Sequence, residues 1–227
     1  MLTHEEIKKQ LGKYAAGLVP ANATIGLGSG STIRWLIEEL AKRVQQGLSI
    51  KIVPTSVQSK SLAEKAGIGS VDLNDVDSLP LTIDGADEIN GEFQLIKGGG
   101  GALLQEKMVA SVSEKLIIIA DESKCVTQLG RFPLPVEVVP GGWKQVQKKI
   151  MAIGCGKVVL RKLNDDVFVT DNGHYILDCY FEKIDDAVAL DISLHLIPGV
   201  VETGLFINMA HTAVIGYADG RIEMKVK

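Results

Sequence analysis

The sequence has few of the residues that build disulfide frameworks or metal centres. Its 227 residues include only three cysteines, none of them in a C-x-x-C spacing, so neither a disulfide framework nor a thiolate zinc site is predicted. The four histidines never recur at i, i+4, and there is no H-E-x-x-H or carboxylate-rich metal loop. We therefore expect no structural or catalytic metal.

Basic charge, aromatic rings and long apolar runs are scarce as well. There are 24 Lys and Arg residues against 28 Asp and Glu residues, and aromatic residues make up 5% of the chain, which argues against nucleic-acid and anionic membrane surfaces as partners. No apolar run approaches the ~18 residues of a membrane helix, and the first residues lack the basic start and apolar run of a signal peptide. We expect an untargeted, cytoplasmic protein without membrane contact.

The first half of the chain alternates short apolar runs with amphipathic stretches. This alternation is typical of an α/β fold in which helices cover a parallel sheet. The predicted strands are 24–27, 50–53, 81–83 and 116–120. One helix is predicted after each of the first two strands, and a third helix is predicted over 102–114.

Three prolines between residues 131 and 140 mark a predicted domain boundary, because they stiffen the chain and cannot continue a helix. The pattern beyond them indicates an α+β domain, with strands 136–139, 157–163 and 200–207, helices 143–152 and 186–196, and a hairpin of 167–170 and 174–179 around Asp171–Gly173. Strands 213–217 and 222–226 are expected to return to the first domain. The predicted domains are residues 1–130 plus 208–227 and residues 131–207.

A glycine-rich turn, Gly26–Thr32, joins the first strand to the first amphipathic helix. Free backbone N–H groups and the positive end of a helix dipole at such a turn bind phosphate. The G-x-G-x-G spacing differs from the dinucleotide and nucleoside-triphosphate motifs, so a small phosphate monoester fits better. The alternative is a plain tight turn with Ser31 and Thr32 as helix caps.

Two carboxylates, Asp84 and Asp87, follow directly after an apolar strand. Open α/β sheets bind ligands at this carboxyl edge, which predicts that both face a substrate. The alternative is that Asp84 caps a turn and Asp87 begins a helix.

The segment Lys97–Gly101 places a lysine before four consecutive glycines and a helix that carries Glu106. Four glycines are costly to order, which favours close approach of a ligand to this backbone. Glu106 lies near the helix start, where it is either a site residue or an ordinary first-turn acid. Lys124 follows the strand 116–120 and is either a phosphate ligand or a solvated lysine, and Lys8 and Lys9 are weaker phosphate candidates.

Taken together and in chain order, these motifs resemble those of the ribose 5-phosphate isomerase A family. The motifs are G-L-G-S-G-S-T, I-D-G-A-D-E-I-N, L-I-K-G-G-G-G-A-L-L-Q-E-K, A-D-E-S-K, F-P-L-P-V-E-V and, further on, I-P-G-V-V-E-T-G-L-F. The resemblance implies a Rossmann-like open-sheet domain with a smaller inserted α+β, ferredoxin-like domain. It also implies a cytoplasmic, cofactor-free homodimer that interconverts D-ribose 5-phosphate and D-ribulose 5-phosphate in the non-oxidative pentose phosphate pathway.

The resemblance also assigns roles to individual residues. It makes Glu106 the base, Asp84 and Asp87 the residues that bind hydroxyls and assist ring opening, and Lys97 the cation beside the reacting oxygens. Ser29 stands where many members have threonine and Gly101 where many have alanine. The implied substrate-binding residues are Ser29, Gly30, Ser31, Thr32, Gly85, Ala86, Gly98, Gly99, Gly100 and Lys124.

Two other functions fit parts of the pattern. A non-catalytic sugar-phosphate sensor would need a DNA-reading module, and only about twenty residues precede the first predicted strand. Acyl-CoA transfer through Glu106 as a covalent nucleophile is the third possibility. We expect the loop tips that carry the predicted site residues to meet around one pocket.

Overall fold

A computed structural model describes all 227 residues, and the chain forms two compact units. Unit 1 comprises 1–86, 105–125 and 209–227, and unit 2 comprises 87–104 and 126–208. The crossings near 125 and 208 lie close to the predicted domain boundaries, and residues 87–104 group with unit 2. The division into functional domains stays a prediction.

Six α-helices and sixteen strands make up the regular structure. The helices are α1 (His4–Gly17), α2 (Ser31–Gln45), α3 (Val57–Lys65), α4 (Leu103–Ser111), α5 (Trp143–Ala152) and α6 (Ala187–His195), with 3₁₀ turns at Leu73–Asp75 and Glu122–Lys124. The strands are β1 (Ala23–Leu27), β2 (Ile50–Pro54), β3 (Gly69–Ser70), β4 (Thr82–Asp84), β5 (Glu88–Ile89), β6 (Leu95–Ile96), β7 (Leu116–Asp121), β8 (Leu134–Val138), β9 (Lys157–Leu160), β10 (Lys162–Leu163), β11 (Asp166–Val167), β12 (Tyr175–Tyr180), β13 (Val200–Thr203), β14 (Leu205–Phe206), β15 (Thr212–Gly216) and β16 (Ile222–Val226). None of the helices combines the length and apolar character that a bilayer span requires.

Unit 1 contains a seven-stranded sheet in the order β16-β15-β7-β4-β1-β2-β3. All pairs are parallel except β15 with β16. All six residues of β7 are buried, as is typical of a central parallel strand that is covered on both faces. The order reverses between β1 and β4, and ligands bind open α/β sheets at such a reversal.

The helices of unit 1 begin and pack as their sequences dictate. Thr3 and Glu6 form a capping box that starts α1, and α2 buries one stripe formed by Ile33, Leu36, Ile37 and Leu40. These side chains join Ile25, Leu27 and Ile83 of the sheet in one core cluster. The core therefore fixes the strands whose ends carry the candidate residues.

Unit 2 contains a four-stranded antiparallel sheet in the order β13-β8-β12-β9 and a three-stranded sheet in the order β14-β6-β5. Val146 and Ile150 of α5 and Leu194 of α6 pack in one core with Val136 and Leu177 of the antiparallel sheet. The mixed architecture agrees with the predicted α/β fold class.

Four predicted elements differ from the structure. Strand 157–163 is divided into β9 and β10, and strand 200–207 is divided into β13 and β14, with the two parts of each in different sheets. The helix expected over 102–114 ends at Ser111, because the N–H of Glu114 donates to the carbonyl of Leu79 and draws the chain out of the helix. The hairpin expected around Asp171–Gly173 is reduced to one bridge between Val169 and Tyr175. The regular hairpin is β10-β11 instead, turning at 164–165 where both residues have positive φ.

Candidate active site

Three neighbouring parallel strands of unit 1 end at the same edge of the sheet. The three strands are β1, β4 and β7. Asp84 is the last residue of β4, and Asp121 is the last residue of β7. The loop Gly28–Gly30 follows β1 directly. The prediction that these segments share the carboxyl edge is therefore correct within unit 1.

Asp84 is 1% exposed and organises the loop after β1. Its Oδ1 accepts hydrogen bonds from the backbone N–H of Ser29, at 3.2 Å, and of Gly85, at 2.7 Å. A side chain at position 28 would overlap the Asp84 carboxylate, so only glycine permits this approach. The loop backbone thus supports a negative charge that is shielded from water.

Ser29 continues this network through its hydroxyl. Its Oγ lies 2.8 Å from Thr55 Oγ1 and donates to Ser56 Oγ at 2.7 Å. The sequence analysis did not single out Thr55 and Ser56, although both follow β2, the strand beside β1. The sequence signal that could have identified them is the presence of two hydroxyl residues immediately after a predicted parallel strand.

The N-terminus of α2 has no side-chain cap. Gly30 is the N-cap residue, at φ 102°, and neither Ser31 nor Thr32 supplies the capping hydrogen bond. The alternative in which these two residues cap a plain turn is therefore excluded. The first turn also contains no acidic residue, so its N–H groups and helix dipole favour an anion.

Glu106 lies in the first turn of α4 and is 6% exposed. Leu103 and Val109, three residues before and after it, are both completely buried, whereas Met108 is 36% exposed. Glu106 therefore belongs to the buried stripe of the helix and is not an ordinary solvated first-turn acid. A buried carboxylate is a suitable proton carrier once a substrate excludes water.

Lys124 ends the 3₁₀ turn that follows β7 and is half-buried. Asp121 caps this turn by accepting the N–H of Ser123 at 3.0 Å. The fold therefore holds Lys124 within three residues of the strand end, which favours a role at the sheet edge over that of a mobile surface lysine.

In unit 2, Asp87 is bonded to the glycine segment. Its Oδ2 accepts the N–H of Gly99 at 2.8 Å, and a Cβ at position 99 would lie 2.7 Å from its Oδ1. Asp87 does not begin a helix, as the alternative required, because it precedes strand β5. Gly99 and Gly100 are exposed, so their backbone is open to a ligand.

Lys97 is 2% exposed, which is unusual for a lysine. Its backbone N–H donates to the carbonyl of Gly204 at 2.9 Å, and its Nζ lies 5.4 Å from the centre of the Phe206 ring. The backbone and the ammonium are thus both held by strand β14 and the residue before it, which limits the positions the cation adopts.

Comparison with known proteins identifies the family. The sequence profile of ribose 5-phosphate isomerase A (phosphoriboisomerase A) matches residues 51–220. A ribose-5-phosphate isomerase A of Bacillus mycoides (strain KBAB4) is 54% identical over 215 residues, covering 94% of this chain and 97% of its own. The chain belongs to the ribose 5-phosphate isomerase A family.

Solved structures of this isomerase family agree throughout the chain. Ribose 5-phosphate isomerase A of Methanocaldococcus jannaschii is 36% identical, with a TM-score of 0.93 over 99% of this chain and 100% of its own. A D-ribose-5-phosphate isomerase in complex with phospho-erythronic acid is 36% identical, with a TM-score of 0.95 over 100% of both chains. The predicted family, fold class and isomerase activity are therefore confirmed: family members interconvert D-ribose 5-phosphate and D-ribulose 5-phosphate.

The roles assigned to individual residues of this isomerase stay predictions. Within unit 1, the structure joins Asp84, Ser29 and Gly85 through hydrogen bonds. Within unit 2, it joins Asp87 to Gly99. That both sets act on one substrate is an expectation from the sequence.

A further group of residues supports the glycine segment and was missed by sequence reasoning. Arg161 donates to the carbonyls of Gly98 and Gly99 and pairs with Asp178. The ring of Phe168 lies where a side chain at position 101 would have to be. These partners are more than sixty residues away along the chain, so no local motif announces them.

One cluster of unit 2 has the composition of a cation site. Ligand atoms of Asp191, His195 and Glu202 lie within 4.8 Å of one another. However, Nε2 of His195 is 3.0 Å from Glu202 Oε1 and Nδ1 is 2.9 Å from the Asp191 carbonyl oxygen. Both ring nitrogens of His195 are therefore engaged in hydrogen bonds, and one of these bonds would have to break before the ring could bind a metal.

Proposed function

We propose that this isomerase moves a proton between C2 and C1 of the open-chain pentose 5-phosphate through an enediolate, with Glu106 as the proton carrier. The carboxylate takes the C2 proton of the aldose and returns it to C1, while the hydroxyl proton of O2 passes to O1. The observation that carries this assignment is the burial of Glu106 in the first turn of α4. Reversal of the same steps converts the ketose to the aldose.

Negative charge develops on the carbonyl oxygen as soon as the proton leaves carbon, and a nearby cation lowers the barrier. Lys97 is the residue we assign to this role, because its backbone is hydrogen-bonded and its Nζ is held near the Phe206 ring. A fixed cation needs little reorganisation during the reaction.

Asp84 and Asp87 are assigned to the sugar hydroxyls and to opening of the furanose ring. Both carboxylates have one oxygen bonded to backbone N–H groups, which sets their orientation. Oriented carboxylates accept hydroxyl protons at defined positions, as general acid–base catalysis requires. The adjacent Gly85 and Ala86 are assigned to substrate contact.

The phosphate is assigned to the N-terminus of α2 and to Lys124. The uncapped first turn, with Gly30, Ser31 and Thr32, supplies N–H and hydroxyl donors, and Ser29 adds a hydroxyl beside it. A relative of the same fold binds phospho-erythronic acid, which combines a phosphate with a carboxylate. We expect this compound to inhibit the chain competitively against ribose 5-phosphate.

A coupled assay with ribose 5-phosphate tests the proposal. Turnover is expected to persist in EDTA, and in heavy water the product is expected to carry deuterium at the carbon that receives the proton, because the carboxyl proton exchanges with solvent. Complete retention of the substrate hydrogen would contradict proton transfer by Glu106 and indicate hydride transfer. Loss of turnover in EDTA would contradict the metal-independent scheme.

The assembly and location are also proposed from the family resemblance. We propose a homodimer in the cytoplasm. Light scattering is expected to give twice the 24.4 kDa mass of one chain, and a mass of one or four chains would overturn the dimer.

A further inference from the structure

The glycine segment Gly98–Gly101 is tied to the sheet of unit 2 by a single arginine. Arg161 lies between β9 and β10, and its Nη1 donates to the carbonyl of Gly98 at 2.8 Å and to that of Gly99 at 3.2 Å. A side chain with several donors in one plane is suited to hold two successive carbonyls at once. The tie thus acts on the backbone immediately after Lys97.

The guanidinium is itself held from two other directions. Its Nε donates to Asp178 Oδ2 at 3.0 Å and its Nη2 donates to Asp178 Oδ1, so the carboxylate on β12 engages the side of the fork away from the carbonyls. The Phe168 ring centre lies 5.8 Å from the guanidinium carbon. The pair is largely shielded from water, with 13% of the arginine and 19% of the aspartate side chain exposed, so both groups are oriented more firmly than in a surface ion pair.

A glycine run of this length needs such support. Glycine has the largest backbone freedom of any residue, and Gly98 and Gly101 have φ of 99° and 84°. The N–H of Gly99 is bonded to Asp87, and the N–H of Lys97 is bonded to Gly204. Arg161 adds the bonds on the carbonyl side, so the peptide group between Gly98 and Gly99 is held by both its donor and its acceptor.

We propose that Arg161 is a positioning residue for the isomerase reaction, that it acts through the Gly98 and Gly99 carbonyls to align Lys97, and that Asp178 orients it. This inference rests on the proposed function, since it takes Lys97 as the cation beside the reacting oxygens. Small misplacement of a positioned group lowers the rate strongly even when the changed residue is remote from the chemistry.

Kinetics of Arg161→Lys and Asp178→Asn test the proposal. Lysine keeps the charge and loses the fork, and asparagine keeps the shape and loses the charge. Both are expected to lower kcat by about 10-fold to 100-fold, with a much smaller change in KM, because the phosphate is assigned to other residues. The double variant is expected to be no worse than the poorer single variant, since both changes break one tie.

Arg221→Lys is the matched control. Arg221 also donates to a carboxylate, Glu223, at 3.3 Å, and lies over an aromatic ring, Tyr217, at 3.7 Å. It is in unit 1 on the exposed hairpin β15-β16, and its substitution is expected to leave kcat and KM unchanged. Assays well below the Tm of each variant separate misalignment from unfolding.

Amide hydrogen exchange without substrate supplies a readout independent of turnover. The N–H groups of Gly99 and Gly101 are expected to exchange about tenfold faster in Arg161→Lys than in the unchanged chain, since the segment opens more often. An exchange rate in Arg161→Lys equal to that of the original chain would overturn the positioning role, and so would faster exchange with the original kcat.

Absence of isomerase activity in the original chain would overturn the proposed function. An active original chain with fully active variants would overturn only the positioning role of Arg161.

Discussion

Each unit holds an aspartate against backbone N–H groups of a glycine-containing loop, but the two arrangements differ in what fixes the aspartate. Asp84 ends a central strand of a parallel sheet, is 1% exposed and accepts two N–H groups. Asp87 lies on a connection, is half-buried, and accepts Gly99 N–H alone among the loop glycines. The first loop is thus ordered by a buried carboxylate at a strand end, whereas the second also depends on Arg161 and Phe168.

The largest effect is expected from substitution of Glu106, the buried glutamate of unit 1, and it tests whether the buried groups of this unit carry the chemistry. Glu106→Gln is expected to lower kcat by at least about 10²-fold, the usual contribution of a general base, while sugar-phosphate binding and folding persist. Steady-state kinetics and thermal unfolding measure both. Glu114→Gln, at an exposed position three residues beyond α4, is the control and is expected to keep full activity.

Near-normal turnover of Glu106→Gln would remove Glu106 from the mechanism. The chemistry would then not depend on the buried carboxylate of unit 1.

The two aspartates are expected to respond unequally. Asp84→Asn should lower kcat/KM by about 10²-fold, on the scale of general acid–base catalysis, because its charge is shielded from water. Asp87→Asn should have a smaller effect, since water screens a half-exposed charge more strongly. In both variants the remaining amide oxygen still accepts the backbone N–H groups. Equal losses in the kinetic assay would show that the difference in exposure has no bearing on catalysis.

The sheet of unit 1 and its site could be predicted from the sequence because the signals are local. Asp84 ends one apolar strand, Lys124 lies three residues beyond a second, and Gly28–Gly30 follows a third directly. Parallel strands bring such positions to one edge whatever the details of packing. Thr55 and Ser56 obey the same rule after β2 and were missed because they form no recognisable motif.

Unit 2 was harder to predict because its contacts are distant in sequence. Strands β5 and β6 contain two residues each, too few for a periodic pattern, so residues 87–104 gave no sign that they group with 126–208. The hairpin at 164–165 was overlooked in favour of the Asn-Gly pair at 172–173. The Arg161–Asp178 tie depends on tertiary placement that no spacing rule describes.

Alanine substitutions at the two loops test the difference in rigidity. In Gly28→Ala the new Cβ meets the fixed Asp84 carboxylate, and we expect a loss of about 1–3 kcal/mol in the free energy of unfolding. In Gly99→Ala the Cβ lies 2.7 Å from Asp87 Oδ1, and a smaller loss is expected because a half-exposed side chain can turn away. Thermal unfolding should register about 2–4 °C per kcal/mol.

Matched controls are available in both units for this measurement. An added Cβ at Gly69 or Gly100 meets no atom within 4 Å, so alanine there is expected to leave the Tm unchanged. Equal destabilisation by all four substitutions would show that backbone freedom, and not contact with the aspartates, determines the cost.

The smallest effect concerns two buried thiols, which distinguish the core of unit 2 from the aliphatic core of unit 1. The neighbouring Cys179 thiol lowers the pKa of Cys155 from 9.0 to about 7. Because the folded pKa is depressed, this thiolate contributes stability above pH 9 that is lost as pH falls through 7. Urea unfolding should therefore show the unchanged chain gaining stability over Cys155→Ser between pH 7 and 9. Cys125→Ser, at an exposed thiol, should retain this gain, and a parallel pH dependence of Cys155→Ser and the unchanged chain would refute the thiolate's contribution.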